Sequence, residues 1–204
     1  MIRQPQAFAH VLRDRTARQI LLIGLVNAAP VAVTSTLFLF YVESRLTAPD
    51  AAGPLLLLFF MSAALAAPLW TFLAERFGLK RVLRAAMGLA IFSLFWVLFL
   101  NSGDVIAFGV ICVLSGAAVG ADMTLIPAVF AQRIAHIGAS TTDGFGLWSF
   151  VSKFSLAVAA VILLPSLEFA GFRSGQENSA VALGVLTWTY ALVPCALKLL
   201  ALSL

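Results

Sequence analysis

The chain has 204 residues, of which 62% are hydrophobic and only 11% are charged. A soluble domain carries about 25% charged residues, so this chain has too few to cover a water-facing surface of its size. Its net charge of +4 does not indicate a nucleic-acid-binding protein, because the Lys and Arg residues lie between long apolar runs. We therefore predict an all-α membrane protein whose exposed surface is mostly in contact with the lipid bilayer.

Six apolar runs are long enough to cross a bilayer, for which a helix needs about 20 apolar residues. They lie near 19–42, 54–74, 82–100, 104–131, 146–170 and 180–203. We expect residues 1–18 to form a cytoplasmic N-terminal segment and residues 19–204 to form one six-helix bundle. The fourth connection, 132–145, is expected to be the longest loop.

The positive charges predict the orientation of these spans, because cytoplasmic loops carry an excess of Lys and Arg. Ten of these residues fall on one side of a six-span protein: Arg3, Arg13, Arg15, Arg18, Arg76, Lys80, Arg81, Arg84, Arg133 and Lys198. The other side has only Arg45 and Arg173. An even number of spans keeps both termini on the positive side. We predict a multi-pass inner-membrane protein with both termini in the cytoplasm.

Two charged residues lie inside predicted spans, Asp122 in the fourth and Lys153 in the fifth. A charge at the bilayer centre costs about 2.5–3.5 kcal/mol on insertion scales, so such residues face a partner or a wet cavity. The helical rise places Asp122 about 13 Å and Lys153 about 10 Å from the same membrane surface. We predict that they pair, either as a static ion pair or as a pair that reorganises during transport.

Other polar residues in the spans are candidates for a hydrophilic path. The first span carries three of them at intervals of seven, on one helical stripe: Asn27, Thr34 and Tyr41. The fifth span adds a polar face with an aromatic neighbour: Trp148, Ser149, Ser152 and Lys153. Together they are expected to line a path with aromatic platforms for a sugar ring. The alternative is hydrogen bonding between helices by small polar residues, which is common in membranes.

A close contact between two helices is predicted by a pair of glycines in the fourth span. Gly116 and Gly120 form a small-xxx-small pattern, which lets a neighbouring backbone approach. The pattern is abundant in membrane proteins and does not identify the partner helix.

The stretch from Trp70 to Arg81, WTFLAERFGLKR, resembles the cytoplasmic turn between the second and third helices of a major facilitator repeat. In that turn an acidic residue, a glycine and a basic pair fix the chain reversal and gate helix movement. The resemblance implies a gating turn made of Glu75, Arg76, Gly78, Lys80 and Arg81. Glu75 stands where the motif usually has Asp.

A second resemblance covers nearly the whole chain. Gly120-Ala121-Asp122, Pro127, the run from Gly144 to Trp148, and Lys153 are similar to the C-terminal half of the glycoside–pentoside–hexuronide:cation symporters. A complete transporter of this major facilitator family has about twelve spans. The resemblance implies half of such a bundle, made of two three-helix inverted repeats. It also implies that Lys153 contacts the substrate or couples the cation site to the sugar site.

The function implied by the resemblance is that of the C-terminal half of a sugar:cation symporter working by alternating access. The chain is then a fragment, a split-gene subunit or a truncated reading frame. Its expected partners are the lipid bilayer, a complementary six-helix half or a second copy, and a small sugar or glycoside. A homodimerising small transporter and a non-transporting membrane subunit or degenerate remnant remain as alternatives.

No enzymatic function is expected, because the sequence has neither a His/Asp/Glu metal-binding spacing nor a nucleophile motif. We expect no cofactor and no metal centre. A coupling Na⁺ or H⁺ is expected to bind in the missing half, since no cluster of intramembrane acids occurs here. The loop before Gly144 also departs from the family, because Asp143 is its only acid.

Overall fold

The computed structural model describes residues 11–203, and in this part of the chain all regular secondary structure is helical. Six long helices follow one another: α1 (Arg15–Phe40), α2 (Ala52–Phe77), α3 (Leu79–Phe95), α4 (Val105–His136), α5 (Thr141–Phe169) and α6 (Ala180–Ser203). α1 continues into a π-helical turn at Tyr41–Arg45, and α3 into a 3-10 turn at Trp96–Phe99. A further 3-10 turn, Pro49–Ala51, leads into α2.

All six helices are long and apolar enough to span a membrane, which confirms the prediction of six spanning helices. The predicted long loop at 132–145 is wrong, because α4 continues to His136 and α5 already begins at Thr141. Helical hydrogen bonding continues through polar residues at a membrane surface, whereas hydropathy marks only the end of the apolar run. Of the predicted N-terminal segment, residues 1–10 lie outside the described part, and α1 begins at Arg15.

The first three helices and the last three have equivalent packing partners. α2 packs mainly on α4 as α5 packs on α1, and α3 packs on α4 as α6 packs on α1. α1 and α4 run in opposite directions, because three spans separate their starting points. This pattern is that of two three-helix inverted repeats and is consistent with half of a major facilitator bundle.

The connections lie alternately at the two ends of the bundle. One end, which we call the termini end, holds the start of α1, the α2–α3 and α4–α5 connections and the end of α6. At the opposite end the α1–α2 and α3–α4 connections bind each other. The Gly103 N–H donates to the Leu46 carbonyl over 3.0 Å, and the Arg45 guanidinium donates to the Leu100 carbonyl over 2.8 Å. These two connections are therefore held as one unit.

The aromatic core lies between α1, α4 and α6. The Tyr41 ring is fully buried and stacks on Phe108 and Tyr190, with ring centroids 5.2 and 4.7 Å away. Its hydroxyl donates to the Val97 carbonyl over 3.2 Å, which satisfies the polar atom inside the core. Tyr41 therefore holds helices together and does not face an open path.

The contact between α2 and α4 depends on the predicted glycine pair. A Cβ at Gly120 would lie 2.5 Å from the Ala63 carbonyl oxygen, and one at Gly116 would lie 2.6 Å from the Ser62 hydroxyl. The Ser62 hydroxyl donates across the interface to the Val113 carbonyl over 2.7 Å. The small-xxx-small prediction is confirmed, and the partner is α2.

Candidate functional site

A buried charge network joins three helices in the interior of the bundle. The Lys198 ammonium on α6 donates to the Asp122 carboxylate on α4 and, over 2.6 Å, to the Asn27 side-chain oxygen on α1. The three residues are only 2%, 7% and 3% exposed, in that order. Because α1 belongs to the first repeat and α4 and α6 to the second, the network ties the two repeats together.

The predicted pairing of Asp122 with Lys153 is wrong. Lys153 is exposed on α5, and Lys198 is the ionic partner of Asp122. Equal depth in the membrane was not sufficient for pairing, because Lys153 lies on the open side of α5 whereas Lys198 lies on a buried side of α6. The signal for Lys198 was available, since Leu and Ala flank it on both sides within the sixth span. Its burial also removes it from the ten surface positive charges.

The first-span candidates do not share one open path in the structure. Asn27 is bound to Lys198, and Tyr41 is in the aromatic core. Thr34 donates to the Pro30 carbonyl over 3.1 Å and lines a mostly apolar cavity of about 200 Å³. This cavity lies between α1, α2, α3, α4 and α6, and Phe38, Phe60, Phe108, Ser115 and Lys198 also line it.

On α5, two of the predicted residues share an exposed face. Ser149 and Lys153 lie one helical turn apart, and both are exposed. Ser152 donates to the Trp148 carbonyl over 3.1 Å. Trp148 packs into the bundle, where its ring lies 5.3 Å from that of Phe130. Their proposed roles along a substrate path remain predictions.

Lys153 is exposed at a position well inside a membrane-spanning helix, where a charged side chain is unusual. α5 has 29 residues, which corresponds to about 43 Å, and Lys153 lies about 18 Å along it. Its neighbours Phe150 and Phe154 are 63% and 50% exposed, so this face is open and largely apolar. A lysine at this depth is costly in lipid and is normally found against protein or a water-filled cavity. The open face of α5 is therefore a candidate for contact with protein or with a water-filled cavity.

An ion pair at the termini end fixes the start of α1 to α4. The Arg133 guanidinium donates to both oxygens of the Asp14 carboxylate, over 3.0 and 2.6 Å. Asp14 also accepts the Ala17 N–H over 2.7 Å, so it is the N-cap of α1. The bond from Arg133 and that from the Ala17 N–H hold the pKa of the Asp14 carboxyl at about 2. Sequence analysis did not find this pair.

This pair predicts an acid-sensitive contribution to stability. The unfolded pKa of an aspartate is about 3.9, so the contribution is complete above about pH 4 and is lost as pH falls towards 2. We expect the melting temperature in detergent to fall across this range, and to fall less in Asp14→Asn. Asp50→Asn, which alters an exposed acid at the opposite end, should follow the wild type. An equal acid loss in Asp14→Asn would contradict the assignment.

The turn between α2 and α3 is where the sequence predicts it. Gly78 has φ +87°, its N–H donates to the Ala74 carbonyl over 3.0 Å, and α3 begins at the next residue. The four predicted charged residues of this turn are all exposed: Glu75, Arg76, Lys80 and Arg81. The Arg76 guanidinium lies 5.6 Å above the Phe77 ring. The gating role of this turn remains a prediction.

Alanine substitutions at two glycines near this turn are expected to have opposite effects on stability. Gly78→Ala places a Cβ in the left-handed region and should cost about 1 kcal/mol. Gly88→Ala, inside α3 with open space around it, should stabilise by about 0.5–1 kcal/mol. The measurement is reversible unfolding by SDS in mixed micelles. Equal changes in the unfolding free energy of the two variants would show that the positive φ of Gly78 does not disfavour a side chain there.

Six apolar helices in two packed repeats, with a buried ion pair and a mid-membrane lysine on an open face, define a multi-pass membrane protein of the transporter type. The family described as MFS/sugar transport protein matches residues 3–204, and the chain belongs to it. This match confirms the resemblance to the sugar:cation symporters of the major facilitator superfamily. It also means that the protein is a member of a transporter family and not an enzyme.

The chain is similar to the sodium-dependent lysophosphatidylcholine symporter 1 of Homo sapiens. The two are 29% identical over 158 residues, which are 74% of this chain and 29% of the relative. The chain therefore spans less than a third of the length of this curated relative.

Proposed function

We propose that the chain is the C-terminal six-helix half of a secondary active transporter that works by alternating access with a complementary half. The observation that carries this proposal is Lys153, exposed about 18 Å along α5 on a face with no partner in the described part of the chain. Transporter sites form between two halves near the bilayer midplane, and this face would line such a site. Ser149, on the same face, supplies a hydroxyl beside the ammonium.

The exposed side of α2 supports the same proposal. Within α2 only Leu55 is buried, and the side chains of Phe60, Leu65 and Phe72 are 59%, 70% and 56% exposed. α2 and α5 are equivalent in the two repeats, so a complementary half would contact both of these open helices. This surface would then be an interface between halves, with lipid around the remaining helices.

A complementary half fits better than a second copy of this chain. A symmetric dimer presents the same surface from both copies, so it would bring a second Lys153 to the interface. Among the described residues, Asp122 is the acid in the middle of the spans, and Lys198 already neutralises it. A distinct half that carries membrane acids would supply the missing negative charge and a site for a coupling cation. This reasoning disfavours the homodimer.

The substrate that we propose first is a small sugar or glycoside, coupled to Na⁺ or H⁺, with Lys153 at the substrate or between the two sites. Trp148, which is half-buried beside this face, is a weaker candidate contact. Nine positive charges remain assigned to the termini side after Lys198 is removed from the ten. They support insertion in the inner membrane with both termini in the cytoplasm.

A lysophospholipid is a second candidate substrate. The relative's name includes lysophosphatidylcholine. The cavity of about 200 Å³ between the helices is lined mostly by apolar groups, including Phe38, Phe60 and Phe108. An acyl chain is an apolar ligand that such a cavity would accept.

Uptake by lipid vesicles tests these proposals. The chain is reconstituted alone and with a complementary half, and uptake of a labelled disaccharide and of labelled lysophosphatidylcholine is measured with and without a sodium gradient. We expect uptake only with both halves, and its loss in Lys153→Ala but not in Arg173→Ala, an exposed cation at the opposite end. Sodium-coupled uptake by the chain alone would overturn the half-transporter proposal. Absence of uptake from every combination of folded chains would favour a non-transporting subunit.

A further inference from the structure

We infer that Asp122 is a proton-binding site within this half, and that the proton replaces Lys198 as the partner of its carboxylate. This inference rests on the proposed transport function and deepens it, because it places a cation-responsive group in the half where no coupling site was expected. It concerns the network of Asn27, Asp122 and Lys198, which no role in substrate binding explains.

The first observation is an acceptor atom without a donor. Asp122 Oδ2 accepts from Lys198, whereas Oδ1 is buried and has no hydrogen-bond partner among the described residues. Buried carboxylate oxygens are nearly always hydrogen-bonded, so an exception needs an explanation. A proton on Oδ1 would turn the unpaired acceptor into a hydroxyl, and water supplies that proton as hydronium. One O–H bond forms at Oδ1 as one O–H bond of hydronium breaks, one water is released, and the carboxylate becomes neutral.

The second observation is that few other groups act on Asp122. Its neighbours Ala121 and Leu125 pack into an apolar cluster with Val82 and Ala86. The other charged residues of the surrounding helices form no ion pair with Asp122 in the described part of the chain: Arg15 and Arg18 on α1, Glu75 and Arg76 on α2, Lys80, Arg81 and Arg84 on α3, Arg133 and His136 on α4, and Asp143, Lys153 and Glu168 on α5. The charge state of Asp122 therefore depends mainly on Lys198 and Asn27.

The third observation is that the Lys198 side chain lies close enough to the end of α6 for its ammonium to reach the membrane surface. A protonated Asp122 would leave the ammonium buried with one neutral partner, Asn27. Lys198 lies about 8 Å from the end of α6 at Ser203, measured along the helix. A long lysine stem extends to the membrane surface over such distances and keeps its charge in water. The released ammonium would therefore move towards the termini end.

The consequence is a two-state link between proton binding and helix packing. In the unprotonated state, Lys198 ties α6 to α4 and α1. In the protonated state that tie is broken, and only the apolar and aromatic packing of α6 on the other helices remains. A proton thus biases the arrangement of the two repeats relative to each other, which is the kind of change that alternating access needs.

Infrared spectroscopy tests proton binding without requiring transport. The full chain in lipid nanodiscs is titrated with acid, and the carboxylic-acid C=O band is followed. The other acids of the chain also contribute to this band, so the signal is the difference between variants. We expect a component that grows as pH falls, is lost in Asp122→Asn and is retained in Asp143→Asn. A band unaffected by Asp122→Asn over the pH range in which the protein stays folded would overturn the inference.

Uptake with the complementary half tests coupling separately. Asp122→Asn mimics the protonated state, and the double variant Asp122→Asn/Lys198→Met removes both charges if the single variant does not fold. We expect either folded variant to lose the pH dependence of uptake seen in the wild type. An unchanged pH dependence would overturn the coupling role. Absence of wild-type uptake, with the infrared band present, would instead remove the proposed transport function and leave the proton site.

Discussion

Replacing Lys198 with methionine is expected to destabilise the bundle by about 3–5 kcal/mol, because the Asp122 carboxylate is left buried without its ionic partner. The ammonium is 2% exposed, so water cannot easily take its place. The measurement is the free energy of unfolding by SDS in mixed micelles, followed by helix content.

Lys153→Met is the matched control, since it makes the same chemical change at an exposed position on α5. We expect it to leave the unfolding free energy within about 0.5 kcal/mol of the wild type. The double variant Asp122→Asn/Lys198→Met should recover most of the loss, because no uncompensated charge remains. Equal losses in Lys198→Met and Lys153→Met would mean that the buried network does not stabilise the fold.

Replacing Gly116 with alanine is expected to cost about 1–3 kcal/mol, because the new methyl group has no space against α2. A Cβ there would lie 2.6 Å from the Ser62 hydroxyl and would also meet the Phe59 carbonyl oxygen. The Phe59 oxygen is a backbone atom, so the collision is relieved only if the two helices separate. We expect a lower unfolding free energy and a more accessible α2, measured by cysteine labelling at Ser62.

Gly109→Ala provides the comparison on the same helix. A Cβ at Gly109 would lie 3.7 Å from the nearest atoms, in Leu55 and Leu58, which is ordinary van der Waals contact. This variant should be neutral or slightly stabilising, since alanine is the better helix former. If both alanines have the same effect, close backbone approach is not what holds α2 to α4.

Hydropathy and short motifs were sufficient for the spans, the Gly78 turn and the close glycine contact, because each of these is a local property. They were not sufficient for the length of the α4–α5 connection, because apolar runs end before their helices do. The stripe of Asn27, Thr34 and Tyr41 was correctly periodic. Periodicity, however, does not say which neighbour a stripe meets, and Tyr41 entered the aromatic core.

The pairing of Asp122 is a second feature that a pattern along one helix does not predict. Depth along a helix is one coordinate, and it was similar for Asp122 and Lys153. The order of helices around the bundle is a second coordinate, and it follows from how the two repeats pack. Both α5 and α6 pack on α1, so the two lysines differ in the side of the helix on which they lie: Lys198 is buried and Lys153 is exposed.

The separation between Asp122 and Lys198 also has a consequence for biogenesis. The two residues are 76 positions apart, so at about 5–20 residues per second the carboxylate is made roughly 4–15 seconds before its partner. During that interval α4 must be sheltered by the insertion machinery, or its carboxylate must be hydrated or neutral. Completion of this core therefore waits for α6 to enter the bilayer.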